Sequence, residues 1–364
     1  MGAIFLWIAC GDDLGPMNGD TSAGPLTAAS GITTAPTTAG VTHGSTTSTS
    51  GGSGDTSATT PAEGQPTDAV KYDVGVDSGG VEHETEGKAE GCGKIDFLFV
   101  VDNSGSMEEE QQALVSSFDG FIASIQNTVM AEDYHIMVID TDDGTLWLED
   151  CWALCALLPE CGGYTCDMLP APDSCEIVLG SGLRKDPLNQ DCGITGGHRY
   201  MVDGQPNLGD TFECVAKVGI DGNGGERPME AMVAAVSTLN GPGKCNEGFL
   251  RKDALLVVTF ITDEDDDDVA NGESHGNPAG WHAALVAAKY GSEKSIVVLG
   301  LIGDPDQPNA VCVQEAEPSP RLRAFAESFT FGSWGSVCSS DYAPFFDAAV
   351  SVIDTACDQF EPPG

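Results

Sequence analysis

Residues 95–101 read IDFLFVV, apolar on both faces of an extended chain except at Asp96. Such a run predicts a strand buried on both sides. Leu114, Phe118, Phe121, Ile122 and Ile125 follow at helical spacing, so they form one stripe of a helix. Tyr134–Ile139, Ala254–Ile261 and Ile296–Ile302 predict further strands, which end close to Asp140, Asp263 and Asp304. Met229, Met232, Val233 and Val236 predict a helix, as do Trp281–Tyr290, Leu322–Phe329 and Phe345–Ala356. The stretch from about 146 to 215 is punctuated by Gly and Pro and has no clear period. Strands that are apolar throughout, alternating with amphipathic helices, predict an α/β fold. Its form is a doubly wound, mostly parallel sheet with helices on both faces, carrying a Cys-rich insertion at about 146–215. Ligands of such sheets bind beyond the carboxyl ends of the strands, where these aspartates fall.

Composition divides the chain. Residues 11 to about 70 are nearly all Gly, Ser, Thr, Pro, Ala and Asp, with no Lys or Arg. Such a segment buries too little apolar surface to offset chain entropy, so 11–90 is expected to be a disordered Thr/Ser/Gly-rich tether. Its root-mean-square span would be on the order of 50 Å. Residues 91–360 remain for one globular domain, ample for a sizeable core. The net charge of −42, from 57 acidic and 15 basic side chains, argues against nucleic acid or an anionic membrane surface as partner. It suits a soluble surface protein or one that collects cations.

The first ten residues, MGAIFLWIAC, are too short an apolar run to span a bilayer and fit a short secretory segment. WIAC resembles a bacterial lipobox, although Trp7 stands where Leu is usual and no Lys or Arg precedes it. The resemblance implies lipidation at Cys10, removal of residues 1–9, and a lipid-anchored place in the cell envelope, at the outer membrane or surface of a bacterium. Thirteen cysteines support export, because Cys10 aside an even number remains for disulfides. Cys151, Cys155, Cys161, Cys166, Cys175, Cys192 and Cys214 crowd one stretch. The absence of any C-x-x-C pair favours disulfides there over zinc. Cys92 and Cys357 border the folded part, and since domain termini often lie close together, they are expected to pair.

Chemistry concentrates in DNSGS, residues 102–106. Asp102, Ser104 and Ser106 alternate along the chain and can line one edge of a loop. A carboxylate and two hydroxyls are hard oxygen donors, suited to Mg²⁺ or Ca²⁺ and poor for zinc or copper. Asp263 ends another strand in TFITDEDDDD. VVDNSGSM resembles the D-x-S-x-S signature of the von Willebrand factor type A domain, also called the integrin I-like domain. The resemblance covers about residues 93–358, with 146–215 unmatched. It implies a metal-ion-dependent adhesion site made by Asp102, Ser104, Ser106 and Asp263. A divalent cation held there would bridge to a protein or other ligand bearing a carboxylate.

One position departs from the common family pattern, which supplies a Thr from an intervening loop. DGNGGERPMEAM has no Thr, and the register of the following helix puts Glu226 in its place, as in integrin β-subunits. That likeness also implies neighbouring cation sites at Asp221 and Asn223 and at Glu109 and Glu110. A Gly-rich turn accounts equally for the first pair. A helix N-terminus, with its partial positive charge, accounts for Glu108–Glu110. The run Asp265–Asp268 reads as a solvated loop. Asp102, Glu226 and Asp263 together would repel one another, so a divalent ion would relieve the site and favour Ca²⁺ tolerance.

Enzyme readings are weaker. VIDTDDGT, residues 138–145, resembles the haloacid-dehalogenase phosphatase motif, but Thr145 falls one place late. No G-x-S-x-G elbow occurs. The expectation is therefore a binding domain, with a metal-dependent hydrolase or a structural envelope protein as alternatives.

Overall fold

A computed structural model describes residues 93–142, 160–161, 164–165, 175–188, 190–222, 225–266, 269 and 273–362. The proposed tether, Cys10, Cys92 and Asn223 lie outside the described residues.

The described residues form eight strands: β1 (Lys94–Val101), β2 (Asp133–Ile139), β3 (Glu160–Cys161), β4 (Tyr164–Thr165), β5 (Met201–Val202), β6 (Leu255–Ile261), β7 (Ile296–Ile302) and β8 (Gly332–Ser336). Helices are α1 (Glu108–Ser124), α2 (Leu208–Ala216), α3 (Pro228–Val236), α4 (Pro278–Ala288), α5 (Pro320–Glu327) and α6 (Ala343–Asp358). β3 and β4 pair with each other. The other six strands form one sheet in the order β5-β2-β1-β6-β7-β8. All neighbours in it are parallel except β5, which runs antiparallel to β2 at the edge. The chain is thus an α/β protein with a mostly parallel six-stranded sheet.

The all-apolar strands earn their place by burial. Every residue of β6 and of β7 is buried. Successive side chains of a strand point to opposite faces, and the apolar contacts follow that alternation. Ile95, Phe97, Phe99 and Val101 of β1 share one cluster with Phe118 and Phe121 of α1, Phe212 of α2 and Phe346 of α6. Leu98 and Val100 share a second with Met229 and Met232 of α3, Trp281 and Leu285 of α4 and Phe325 of α5. Phe118 stacks on Phe212 at 3.5 Å between centroids, and both contact Phe99 edge-on. Each fully buried aromatic of this kind contributes about 1.5–3 kcal/mol.

Asp96, the one buried polar residue of β1, lies at the end of the sheet away from the strand tips. It accepts from the Arg251 backbone N at 2.6 Å and from its Nε at 2.7 Å. Burial pushes its carboxyl up to about 6 against the pull of Arg251.

The stretch 146–215 is not wholly irregular. Its later part supplies the edge strand β5 and the helix α2, which belongs to the main core. Disulfides Cys192–Cys214 and Cys175–Cys245 tie parts of it to α2 and to the turn after α3. β8, GSWGS, had no counterpart in the sequence pattern.

Candidate cation site

Register builds the site. β1 and β6 are adjacent and parallel, with Val101 opposite Ile261, so their next residues emerge side by side. Pairing continues for one step, the Asp102 N donating to Ile261 O at 3.0 Å. Asp102 is fully buried. Its Oδ1 accepts the Ser104 N–H at 2.7 Å, and its Oδ2 accepts the Thr262 hydroxyl at 2.6 Å. The Ser104 and Ser106 hydroxyl oxygens lie 3.4 Å apart, and Ser106 is near enough to the Asp263 carboxylate to favour its charged form. Gln111, buried in the first turns of α1, donates to Asp102 O and to Gly219 O at 3.0 and 2.7 Å. It therefore ties the β1 loop to the loop that precedes α3.

That second loop brings Glu226. The residue directly before α3 is Arg227, and no side chain caps this helix at its N-cap position. Glu226 is therefore no helix cap. It is 2% exposed, its Oε2 is hydrogen-bonded by the Thr141 hydroxyl, and its Oε1 has no partner. Asp263, 4% exposed, likewise has Oδ1 without a partner. Buried acceptors without donors cost about 1–3 kcal/mol each, more when charged, so two of them in one cluster call for an explanation.

Electrostatics agree with the geometry. Burial, and after it the charge of the neighbouring Asp102, push Glu226 up to about 10 against the opposing pull of Thr141. Asp102 is raised to about 6 by burial, with Asp263 adding to the effect and Thr262 and Ser104 resisting it. Glu264 is raised to about 7, again first by burial and then by Asp102 and Asp263. A divalent cation would supply the positive charge that these acids lack, and carboxylates with hydroxyls are the donors Mg²⁺ and Ca²⁺ take. Among the described residues no group of three or more His, Cys, Asp or Glu side chains is already gathered as metal donors. That holds for the three carboxylates of the candidate set as well, so Asp102, Glu226 and Asp263 are not drawn to metal-coordination distance of one another in this arrangement.

The structure thus brings Asp102, Ser104 and Ser106 together with Asp263, and Glu226 close enough for its charge and that of Asp102 to act on each other. Glu110 stands beside them. It is half-buried, its Oε2 has no partner, and burial followed by the charges of Asp263, Glu109 and Asp102 raises its pKa. Glu109 is exposed in the same turn of α1. Asp221 is exposed on the loop before α3, where the adjacent Gly222 N donates to Asn103 O at 2.9 Å.

Several residues were missed or misread. Thr141, Asp142, Thr262 and Glu264 all reach this cluster. Asp265 and Asp266 do not belong to a solvated loop. Both are buried, and they serve helix N-termini whose first N–H groups lack intrahelical acceptors. Asp265 accepts from Arg321 N and Leu322 N of α5, both at 3.1 Å. Asp266 accepts from Met229 N of α3 at 3.1 Å and from Ser274 N at 2.8 Å. Asp304, at the tip of β7, is likewise used structurally. It accepts from Val311 N and Cys312 N at 2.9 Å and from the Ser336 hydroxyl at 3.0 Å.

An open cleft of about 820 Å³ lies beside the first turn of α1, with Glu108, Glu109, Asp186, Asp210 and Glu213 in its lining. Asp102, Ser104, Ser106, Glu226 and Asp263 are not among its lining residues.

No protein family matches the chain, and no curated protein matches it. Among solved structures, 71% of the chain is similar to proximal thread matrix protein 1 from the mussel byssus, at 9% identity and a TM-score of 0.36. The match covers 48% of that protein's chain, so this chain spans about half of its length. A likeness that weak carries neither fold nor function across.

Proposed function

We propose that this chain is a von Willebrand factor type A-like domain with a doubly wound sheet. It binds a divalent cation, Mg²⁺ or Ca²⁺, through Asp102, Ser104, Ser106, Glu226 and Asp263. Through that cation it captures a protein or other partner bearing a carboxylate. One observation carries the reading: Glu226 Oε1 and Asp263 Oδ1 are buried without donors, in residues whose charges interact with that of Asp102. The antiparallel strand at the edge of an otherwise parallel sheet, and the gathering of loops at the strand tips, support it. Binding is the proposed activity, and catalysis is not part of it. The cation supplies positive charge and open coordination positions. The chain orients its own donors, with Thr262 fixing Asp102 and Gln111 holding the two loops in register.

We further propose that the domain stands on a 11–90 tether from a lipidated Cys10 on a bacterial envelope. The disulfides Cys175–Cys245, Cys192–Cys214 and Cys312–Cys338 suit that oxidising setting.

Thermal unfolding with chelator and with added Ca²⁺ or Mg²⁺ tests the cation site. A ligand that binds only the folded state stabilises it by about 2.7 kcal/mol at a hundred times its dissociation constant. The reading expects the melting temperature to rise with cation concentration. A melting temperature indifferent to both ions would reject it.

A further inference from the structure

We infer that Thr141 is the positioning residue of this site, fixing the Glu226 carboxylate so that its other oxygen serves the cation; the inference rests on the cation reading above. Thr141 follows β2 by two residues and is fully buried. Its backbone is clamped, because Arg227 N donates to Thr141 O at 2.9 Å. That bond sets the β2 loop directly against the residue after Glu226. The Thr141 hydroxyl bonds Glu226 Oε2 and also lies 3.2 Å from Asn103 Oδ1. Asn103 is held in turn by its Nδ2, which donates to Asp142 Oδ2 at 3.2 Å. Gly222 packs so closely on the Asn103 side chain that a Cβ there would overlap it. Three loops, after β1, after β2 and before α3, thereby meet at one hydroxyl.

The consequence for Glu226 is geometric. A glutamate has three rotatable side-chain bonds, and the charges that act most strongly on this one are those of the acids Asp102, Asp142 and Glu264. Among the described residues its hydrogen-bond partner is Thr141, on Oε2. Oε1 is left buried and unmet, beside the charge of Asp102. Loss of the hydroxyl frees the carboxylate to turn away, with the neighbouring acids repelling it. A donor to a charged acceptor is worth about 1.5–3 kcal/mol, which corresponds to roughly tenfold or more in affinity.

A double-mutant cycle read by calorimetric titration with Ca²⁺ alone tests this. Thr141→Val removes the hydroxyl at constant shape. Thr141→Ala removes it without a methyl against the carboxylate, and Thr141→Ser keeps it. The expected result is roughly tenfold weaker Ca²⁺ binding in Thr141→Val and Thr141→Ala, with wild-type affinity in Thr141→Ser. In a Glu226→Gln background, Thr141→Val should change nothing further, because its effect passes through that carboxylate. Undiminished binding by Thr141→Val and Thr141→Ala would overturn the inference. So would an equal loss in the Glu226→Gln background, since a residue that merely ties loops together weakens both proteins alike. If the wild-type chain takes up no Ca²⁺, the cation reading itself fails, which is a different result from a wild type that binds and a Thr141 series that does not vary.

Discussion

The hydroxyl of Thr262 donates to Oδ2 of Asp102 across 2.6 Å, joining the residues that directly follow two neighbouring parallel strands. The bond is charge-assisted when Asp102 is ionised and ordinary when it is protonated. Hydrogen bonds to charged groups contribute about 1.5–3 kcal/mol, and neutral ones about 0.5–1.5. Since Asp102 titrates near pH 6, Thr262→Val should destabilise the cation-free domain more at pH 7.5 than at pH 4.5. Chemical denaturation at the two pH values reads the difference. An equal loss at both would mean that Thr262 packs rather than hydrogen-bonds the acid.

Cation-free protein should lose stability as pH rises. Asp102, Asp266 and Glu264 have ordinary values of 3.8, 3.8 and 4.5, and burial raises them in the folded chain to about 6, 6 and 7. Folding therefore takes up protons. The stability these groups confer is complete below about pH 4 and drains away as pH climbs through 6 and 7. Glu226, raised to about 10, prolongs the decline. With chelator present, the melting temperature should fall between pH 4.5 and 7.5. Saturating Ca²⁺ should flatten that slope by neutralising Asp102 and Glu226, and a slope unchanged by Ca²⁺ would place those acids outside any cation site.

Asp265 bridges two backbone N–H groups at the start of α5. Replacing a side chain that satisfies helix-terminal donors typically costs about 0.5–2 kcal/mol. Asp265→Ala should lie in that range by urea denaturation and should leave Ca²⁺ affinity within a factor of about two. A large loss of affinity would make Asp265 part of the site rather than of the scaffold.

Legibility differed from element to element for physical reasons. β1, β2, β6 and β7 were readable because a strand covered on both faces must be apolar throughout, and few other elements leave that mark. β8 was not, since GSWGS has neither alternation nor bulk. It owes its place to pairing with β7 and to the stacking of Arg323 over Trp334. β5 spans two residues, too few for any period, and α2 was hidden among cysteines. At the site, Asp102, Ser104 and Ser106 stood out because three oxygen donors alternate at a strand tip. Glu226 could be placed by helix register. Thr141 could not, since its partners Glu226 and Asn103 are 85 and 38 residues away in sequence. Asp265 and Asp266 misled because a run of acids resembles a solvated loop until the helix termini it serves are in view.

Cys357, in the last turn of α6, is buried and disulfide-bonded, and its partner lies outside the described residues. β1 begins two residues after Cys92, and α6 shares the β1 core. Non-reducing peptide mapping should recover Cys92 joined to Cys357. The bond would close a loop of well over 100 residues, for which chain entropy gives about 4–5 kcal/mol. Recovery of Cys357 with any other cysteine would reject the pairing.

The central claim is that three buried acids and two hydroxyls at the strand tips hold a divalent cation. Calorimetric titration of the wild-type chain and of Asp102→Ala with Ca²⁺, Mg²⁺ and Mn²⁺ tests it most directly. The account predicts a saturable site in the wild type that disappears in Asp102→Ala while the variant remains folded. Equal binding by both proteins, or none by either, would contradict it.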